Sequence, residues 1–301
     1  MKRSYRLGII GHPVSHSLSP IMHRLAGEMT ELDLTYKAFD VRPDMLEQFI
    51  SRVTGEYSRS FMGSKDTDWP GAESLSGFNV TVPHKVAVIQ YLDGLEPDAA
   101  RIGAVNTVFR RGDKLIGDNT DGYGFLQSLR ENAGTDPGGL RVFMYGAGGA
   151  ARAVAFALSG AGANLVIANR DGAKAQRLVE ELTKAGGAAV TADWNAMNLI
   201  DSVRAADIIV NTTTVGMKGS GEGALPAMQG IHEGQLVADI VYRPLNTPLL
   251  QFAQTQGVRT LDGLWMLIHQ GAASFTRWTG EAFPVEAARA RLLAELGESN
   301  S

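Results

Sequence analysis

The amino-acid sequence predicts an α/β chain of two domains, the second built on a doubly wound parallel sheet. Three observations predict it. Short β-type runs alternate with helical stretches, most regularly after Leu140, and such alternation implies strands covered by helices on both faces. A glycine-rich turn, Gly146-Ala147-Gly148-Gly149-Ala150, separates one β-type run from an Ala-rich helix. The 301 residues, 44% hydrophobic and 20% charged, have ordinary globular composition and supply a core for each of two domains.

The elements follow in order. "YRLGIIG" (5–11), "LTYKAFDV" (34–41) and "GFNVTV" (77–82) read as strands. A helix opens near Ser19-Pro20, where Ser suits the N-cap and Pro the first helical position. Along 77–82, Asn79 and Thr81 point one way and Phe78, Val80 and Val82 the other, because side chains alternate along a strand. Pro83 stops the ladder and Lys85 follows. "AVNTVFRRGDKLIGDN" (104–119) reads as a hairpin turning near Arg111-Gly112-Asp113. Six further β-type runs follow: "LRVFMY", "NLVIAN", "AAVTA", "DIIVN", "QLVADIVY" and "VRTLDG". Residues 55–76 and 216–230 are polar and turn-rich, hence loops, the first an insertion. Residues 264–298 read as helical throughout.

Composition excludes several classes of function. A net charge of −4 offers no basic excess to meet a phosphate backbone, so no nucleic-acid partner is expected. No cysteine is present, which removes disulfides, thiolate metal sites and cysteine nucleophiles. The opening "MKRSYRLGIIGHP" has too short an apolar run for a signal peptide. No apolar run approaches the ~20 residues that span a bilayer. A soluble cytoplasmic protein without a membrane partner is the expectation. His12, His16 and His23 fall across a Pro-containing loop and its helix, with no HExxH, so no metal is expected.

The glycine turn carries specific chemistry. Gly146, Gly148 and Ala151 fill G-x-G-x-x-G/A between a strand and a helix. The first permits the tight turn, the second lets a pyrophosphate approach the backbone, and the third allows close helix–strand packing, as in a Rossmann fold. Free amides at the helix start face the anion. The next strand ends at Asn169-Arg170-Asp171, where an adenosine ribose is read. An acid there suits the 2′-hydroxyl of NAD and an arginine the 2′-phosphate of NADP; both are present, and Lys174 adds charge one turn on. NADP is the favoured cofactor, with NAD left open by Asp171.

Elsewhere, polar residues exceed what packing needs. "SHSLSP" holds Ser17 and Ser19, "GAVNT" holds Asn106, and "GDNTDG" holds Asp121. The ordered set SHSLSP, NVTVPHK, GAVNT, GDNTDG, GAGGAAR, NR, NTTTVGM and DGLWMLIHQGA resembles the shikimate dehydrogenase family over nearly the whole chain. The resemblance implies an N-terminal substrate domain (1–120 with 264–301), a Rossmann NADP domain (121–263), and a cleft between them. It also implies interconversion of 3-dehydroshikimate and shikimate. Carried over by motif, Ser17 and Ser19 meet the substrate carboxylate, and Asn79, Thr81, Lys85, Asn106, Asp121 and Gln270 complete its pocket. Lys85 and Asp121 match the catalytic pair. Gly146, Ala147, Gly148, Gly149 and Ala150 match the pyrophosphate loop, and Asn169 and Arg170 the ribose-phosphate site. Tyr242 and Gly263 match positions near the nicotinamide or substrate, and Thr213, within NTTTVGM, falls among the cofactor-binding residues.

The residue types suit that reading. A polyol carboxylate needs hydroxyl, amide and charged partners rather than an apolar wall. Lys85 serves either as the acid/base or as a cation beside the developing alkoxide, and both roles stay open. The alternatives are an NAD-using quinate/shikimate branch and a non-catalytic NADP-binding sensor, since fold does not fix function. A monomer or a homodimer is equally compatible.

Overall fold

Two six-stranded sheets organise the chain in a computed structural model that describes residues 4–55, 69–195, 197, 199–219 and 224–297. Each sheet belongs to one of two units, Met1–Thr120 with Gly271–Ser301, and Asp121–Gln270. The second junction falls inside a single helix, seven residues beyond the 263/264 boundary expected from sequence.

Unit 1 runs β1 (Ser4–Gly11), α1 (Ser19–Met29), β2 (Asp33–Asp40), α2 (Leu46–Thr54), β3 (Gly77–Val80) and α3 (His84–Ala87). It continues with β4 (Gly94–Leu95), α4 (Pro97–Ile102), β5 (Thr107–Arg111) and β6 (Lys114–Asp118). The strand order is β2-β1-β3-β5-β6-β4. β1 pairs parallel with β2 and β3, whereas β3–β5 and β5–β6 are antiparallel, so this sheet is mixed rather than wholly parallel. The hairpin is the cause: only Gly112 and Asp113 separate β5 from β6, and a two-residue connection can join only antiparallel neighbours. Gly112 takes φ +64°, as such a turn demands.

Three local expectations are corrected in this unit. Ser19 is the first residue of α1 rather than its cap, with Leu18 at the N-cap position. β3 stops at Val80, the last residue in register with β1, one beyond the end of its pairing with β5 at Asn79. Val82 is therefore 70% exposed rather than packed beside Phe78 and Val80. Of the 55–76 loop, residues 56–68 lie outside the described residues. Beyond them Trp69 packs edge-on against Phe49 at 5.5 Å and donates to Asp40 O at 3.0 Å. Phe49 and Phe78 are fully buried in the same cluster, and burying each ring contributes about 2–3 kcal/mol.

Unit 2 opens with α5 (Asp121–Gln127), which continues as a π-helical turn over Ser128–Asn132. Then come β7 (Arg141–Tyr145), α6 (Gly149–Gly160), β8 (Asn164–Asn169), α7 (Gly172–Lys184), β9 (Ala188–Asp193) and α8 (Leu199–Arg204). β10 (Ile208–Asn211), β11 (Leu236–Asp239), α9 (Pro248–Thr255), β12 (Arg259–Leu261) and the start of α10 (Gly263–Thr279) complete it. All six strands are parallel in the order β12-β11-β10-β7-β8-β9. That is the doubly wound order, with its direction reversing between β7 and β10, the point at which such sheets bind ligands. Phe143, Ile209, Val210 and Val237 are fully buried, as central strands covered on both faces require.

Gly122 and Gly124 let α5 pack closely. A Cβ on Gly122 would lie 2.6 Å from Ala153 O, and one on Gly124 2.6 Å from Gln270 N. The C-terminal segment is two helices rather than one. α10 ends at Thr279, Gly280 follows at φ +80° with its N–H on Thr276 O, and α11 runs over Val285–Leu296. A left-handed glycine followed shortly by proline is the usual helix stop. No helix among the described residues is long and apolar enough to cross a membrane.

Candidate active site

Unit 1 gathers a row of polar side chains at the C-terminal end of β3. Register places Asn79 opposite Thr107 of β5. The Asn79 amide donates to Asn106 O at 3.1 Å, Thr107 Oγ1 at 3.2 Å and Ser274 Oγ at 3.1 Å. Its Oδ1 accepts from Tyr36 Oη at 2.7 Å. Asn106 in turn donates to Thr120 Oγ1 at 2.9 Å and accepts from the Thr120 N–H at 2.8 Å. Asn79, Asn106, Thr107, Thr120 and Ser274 are all buried. A buried amide would otherwise cost a few kcal/mol, so this network fixes which way each amide faces.

Lys85 lies in the one-turn helix α3 and is half-buried. Its backbone O accepts from Val105 N at 2.7 Å, which ties it beside Asn106. The buried His84 next to it holds the same turn through Nε2 on Val41 O at 2.6 Å. Thr81 is half-buried, and its methyl group occupies the space a side chain at Gly11 would need. Ser17 Oγ accepts from the N–H of buried Ser19 at 3.3 Å. Asp118 is engaged elsewhere, by Arg277 at 2.6 Å. His12 pairs with Asp40 at 2.7 Å, and no group of three or more metal-ligating side chains occurs among the described residues.

Unit 2 holds a cavity of about 270 Å³ formed by residues 146–150, 169–170, 212–214 and Trp194. Gly146 takes φ +109° and packs on Thr212, so neither conformation nor space admits a side chain. Gly148 is the N-cap residue of α6, and nothing lies within 4 Å of where its Cβ would be. The first turn of α6 contains no acidic residue, leaving the helix N-terminus open to an anion. Thr213 Oγ1 donates to Asn211 Oδ1 at 2.7 Å, and Asn211 donates to Asp239 Oδ1 at 3.0 Å. Burial raises the Asp239 pKa to about 6, against hydrogen bonds from Val241 N, Thr247 and Asn211.

Arg170 lines this cavity with an exposed side chain; Asp171 and Lys174 are not among its described lining residues. Asp171 is instead the N-cap of α7, accepting from Lys174 N at 3.2 Å, with Lys174 Nζ 3.9 Å from its carboxylate. Gly263 opens α10 against the backbone of Ile240. Tyr242 follows β11, and burial pushes its hydroxyl above the ordinary phenol pKa. Asp121 and Gln270 are buried at the two ends of unit 2, so the expected substrate residues are divided between the units.

Sequence reasoning missed Tyr36, Ser274 and His84, which hold Asn79 and the Lys85 turn, and Trp194 in the cavity wall. The "PHK" context pointed at His84; the other three carry no local signal.

The shikimate dehydrogenase substrate binding domain matches residues 9–64 and 67–108, and shikimate/quinate 5-dehydrogenase matches residues 129–240. The shikimate 5′-dehydrogenase C-terminal domain matches residues 263–293. The NADP+ shikimate dehydrogenase of Moorella thermoacetica is 45% identical, over 98% of this chain and 94% of that one. A shikimate dehydrogenase solved in complex with NADP+ superposes with TM-score 0.85 at 36% identity, covering 98% of each chain. The quinate dehydrogenase of Corynebacterium glutamicum, in complex with NAD, gives 0.81 at 32% identity over 97% of this chain and 99% of that one. Identity at that level over almost the whole length, joined to a doubly wound unit with its glycine turn, places this chain in the shikimate dehydrogenase family.

Proposed function

We propose that the chain is a cytoplasmic shikimate dehydrogenase, monomeric or homodimeric, that reversibly reduces 3-dehydroshikimate to shikimate with NADP on the route to aromatic amino acids. The observation that carries this reading is the cavity of unit 2. There a glycine turn at a helix N-terminus shares its wall with Arg170, in a chain 45% identical to an NADP+ shikimate dehydrogenase. The amides of the turn and of α6 suit a pyrophosphate. Asn169 and Arg170 suit a ribose 2′-phosphate, because a guanidinium fork matches phosphate oxygens. NADP, when bound, supplies the hydride donor or acceptor.

This chain's own residues would bind, orient and move the proton. Ser17 and Ser19 hold the carboxylate, while Asn79, Thr81, Asn106 and Gln270 hold the ring hydroxyls. Tyr242 and Gly263 shape the space beside the nicotinamide or substrate, and Thr213, in the cavity wall, meets the cofactor. Lys85 and Asp121 handle the C3 hydroxyl. Lys85 serves either as the acid/base for that hydroxyl or as a cation beside the developing alkoxide.

Initial rates of nicotinamide reduction with shikimate and quinate, each paired with NADP and NAD, test the reading. Strong turnover with shikimate and NADP alone is expected. The NAD-using quinate branch, favoured by the likeness to the Corynebacterium enzyme, would show comparable rates with NAD or quinate. Lys85→Ala and Asp121→Ala should each lower kcat by about 100-fold or more while leaving NADP binding nearly intact. Wild-type kcat in either variant would sink the assignment.

A further inference from the structure

We infer that Trp194 is the aromatic platform on which an adenine ring stacks in the unit 2 cavity, an inference that rests on the dinucleotide reading above. Each other wall of the cavity has a chemistry suited to a different group. The glycine turn and the start of α6 present amides, and Asn169-Arg170 present an amide side chain and a guanidinium. Residues 212–214 present hydroxyls and methyls. A purine is a flat, uncharged π-system, and what it gains from a protein is chiefly stacking on another ring, worth about 1–3 kcal/mol per base. Trp194 is the one ring among the described lining residues.

The indole is also held in place. It follows directly on β9, at the same end of the sheet as Asn169 of β8, with which that strand is in register. Asp193 Oδ1 accepts from Asn195 N at 3.0 Å, closing a turn around Trp194. The ring meets Tyr145 edge-on, with centroids 5.8 Å apart and planes at 79°. Tyr145 is itself fixed by its hydroxyl on Pro226 O at 2.7 Å and by an edge contact with Phe143. Trp194 nevertheless remains only partly buried. A large aromatic held rigidly yet left half-open over a phosphate-type cavity loses little entropy on accepting a flat ligand. One side of the indole packs on the unit 2 core, beside Ala192 and Val166 at the cluster's edge, and the exposed remainder is what a ligand would cover.

Isothermal titration of the full-length chain with 2′,5′-ADP, which carries the adenine and both phosphates but no nicotinamide, tests this. Trp194→Leu should weaken 2′,5′-ADP by about 5- to 100-fold, the equivalent of a lost stacking contact. Trp194→Phe should stay within about threefold, because it keeps a π-face. Inorganic pyrophosphate should bind both variants as it binds wild type. Tryptophan emission gives a second readout, usable if Trp194→Leu does not fold. 2′,5′-ADP should quench wild-type emission and leave that of Trp194→Phe, which reports Trp69, Trp265 and Trp278, unchanged. Undiminished 2′,5′-ADP affinity in Trp194→Leu, or an undiminished quench in Trp194→Phe, overturns the platform alone. Equal loss of pyrophosphate binding in Trp194→Leu also overturns it, by showing a structural role. A wild-type chain that binds no 2′,5′-ADP overturns the dinucleotide reading together with it.

Discussion

The hydroxyl of Tyr36 donates to Asn79 Oδ1 at 2.7 Å inside unit 1, and both residues are buried. That bond leaves the Asn79 Nδ2 group as the donor to Asn106 O, Thr107 and Ser274. Burial holds the Tyr36 pKa well above the ordinary phenol value, so the donor keeps its proton at any working pH. Tyr36→Phe removes the donor and strands a buried carbonyl, which costs about 1–3 kcal/mol. Urea unfolding should show that loss. Steady-state rates should show a raised KM for shikimate with the KM for NADP unchanged.

His23 gives stability a defined acid dependence. It is fully buried, and its ring stacks 4.5 Å from that of Tyr36. Burial pushes its pKa down from 6.5 to about 3, against a smaller opposing pull from Asn79. The unfolded chain therefore takes up a proton that the folded chain refuses. The stability involved is present above pH 6.5 and is lost as pH falls toward 3. Wild type should lose about 2 kcal/mol more than His23→Phe between pH 7 and pH 5 in urea melts. Parallel losses in the two proteins would contradict it.

Asp239 shows the opposite sign. Its carboxylate accepts from Asn211 Nδ2 at 3.0 Å, Val241 N at 2.9 Å and Thr247 Oγ1 at 2.7 Å. Yet burial dominates and raises its pKa from 3.8 to about 6. The folded chain binds that proton more tightly than the unfolded one, so its contribution is full below pH 3.8 and declines as pH rises through 6. Asp239→Asn should flatten that part of the stability profile and keep the fold. Asp239→Ala strands Asn211 and Thr247 and should cost about 3 kcal/mol. It should also weaken NADP binding, because Asn211 holds Thr213 in the cavity wall.

The two neighbours Arg170 and Asp171 should separate cleanly under mutation. Arg170→Ala should raise the KM for NADP by about 10- to 100-fold, the worth of a charge-assisted hydrogen bond, and leave the KM for NAD alone. Asp171→Ser should leave both the melting temperature and the NADP:NAD ratio near wild type, since serine caps a helix as well as aspartate does. A several-fold fall in NAD efficiency in Asp171→Ser would show that its carboxylate reads the ribose.

The second unit was nearly complete in the sequence because its central strands are buried on both faces and read as largely apolar runs, as in "LRVFMY" and "DIIVN". The first was less so. Alternation in "GFNVTV" extended the strand through Val82, whereas pairing with β5 had already run out at Asn79. The helix break at Gly280 was written as Gly followed by Pro284, but apolar residues on either side hid it. The polar residues were visible as types and became a set only through family resemblance. Their partners were not visible, since Ser274 lies 195 residues from Asn79 and no local period encodes that pairing. At Asp171 one letter fits two physical roles, and its place as the cap of α7 follows from a helix start that the sequence did not mark.

The interruption of unit 1 by residues 121–270 sets an order of events during synthesis. The ribosome delivers β1 through β6, then the whole nucleotide-type sheet, and last the half of α10 from Gly271 onward. Unit 2 is closed at its ends by the packing of Gly124 against Gln270, so it can complete its core while the chain is still growing. The first sheet cannot. Asn79 waits for Ser274, and Tyr5 waits for Thr279 O, 274 residues later. The row of polar groups on β3 is thus made early and finished last.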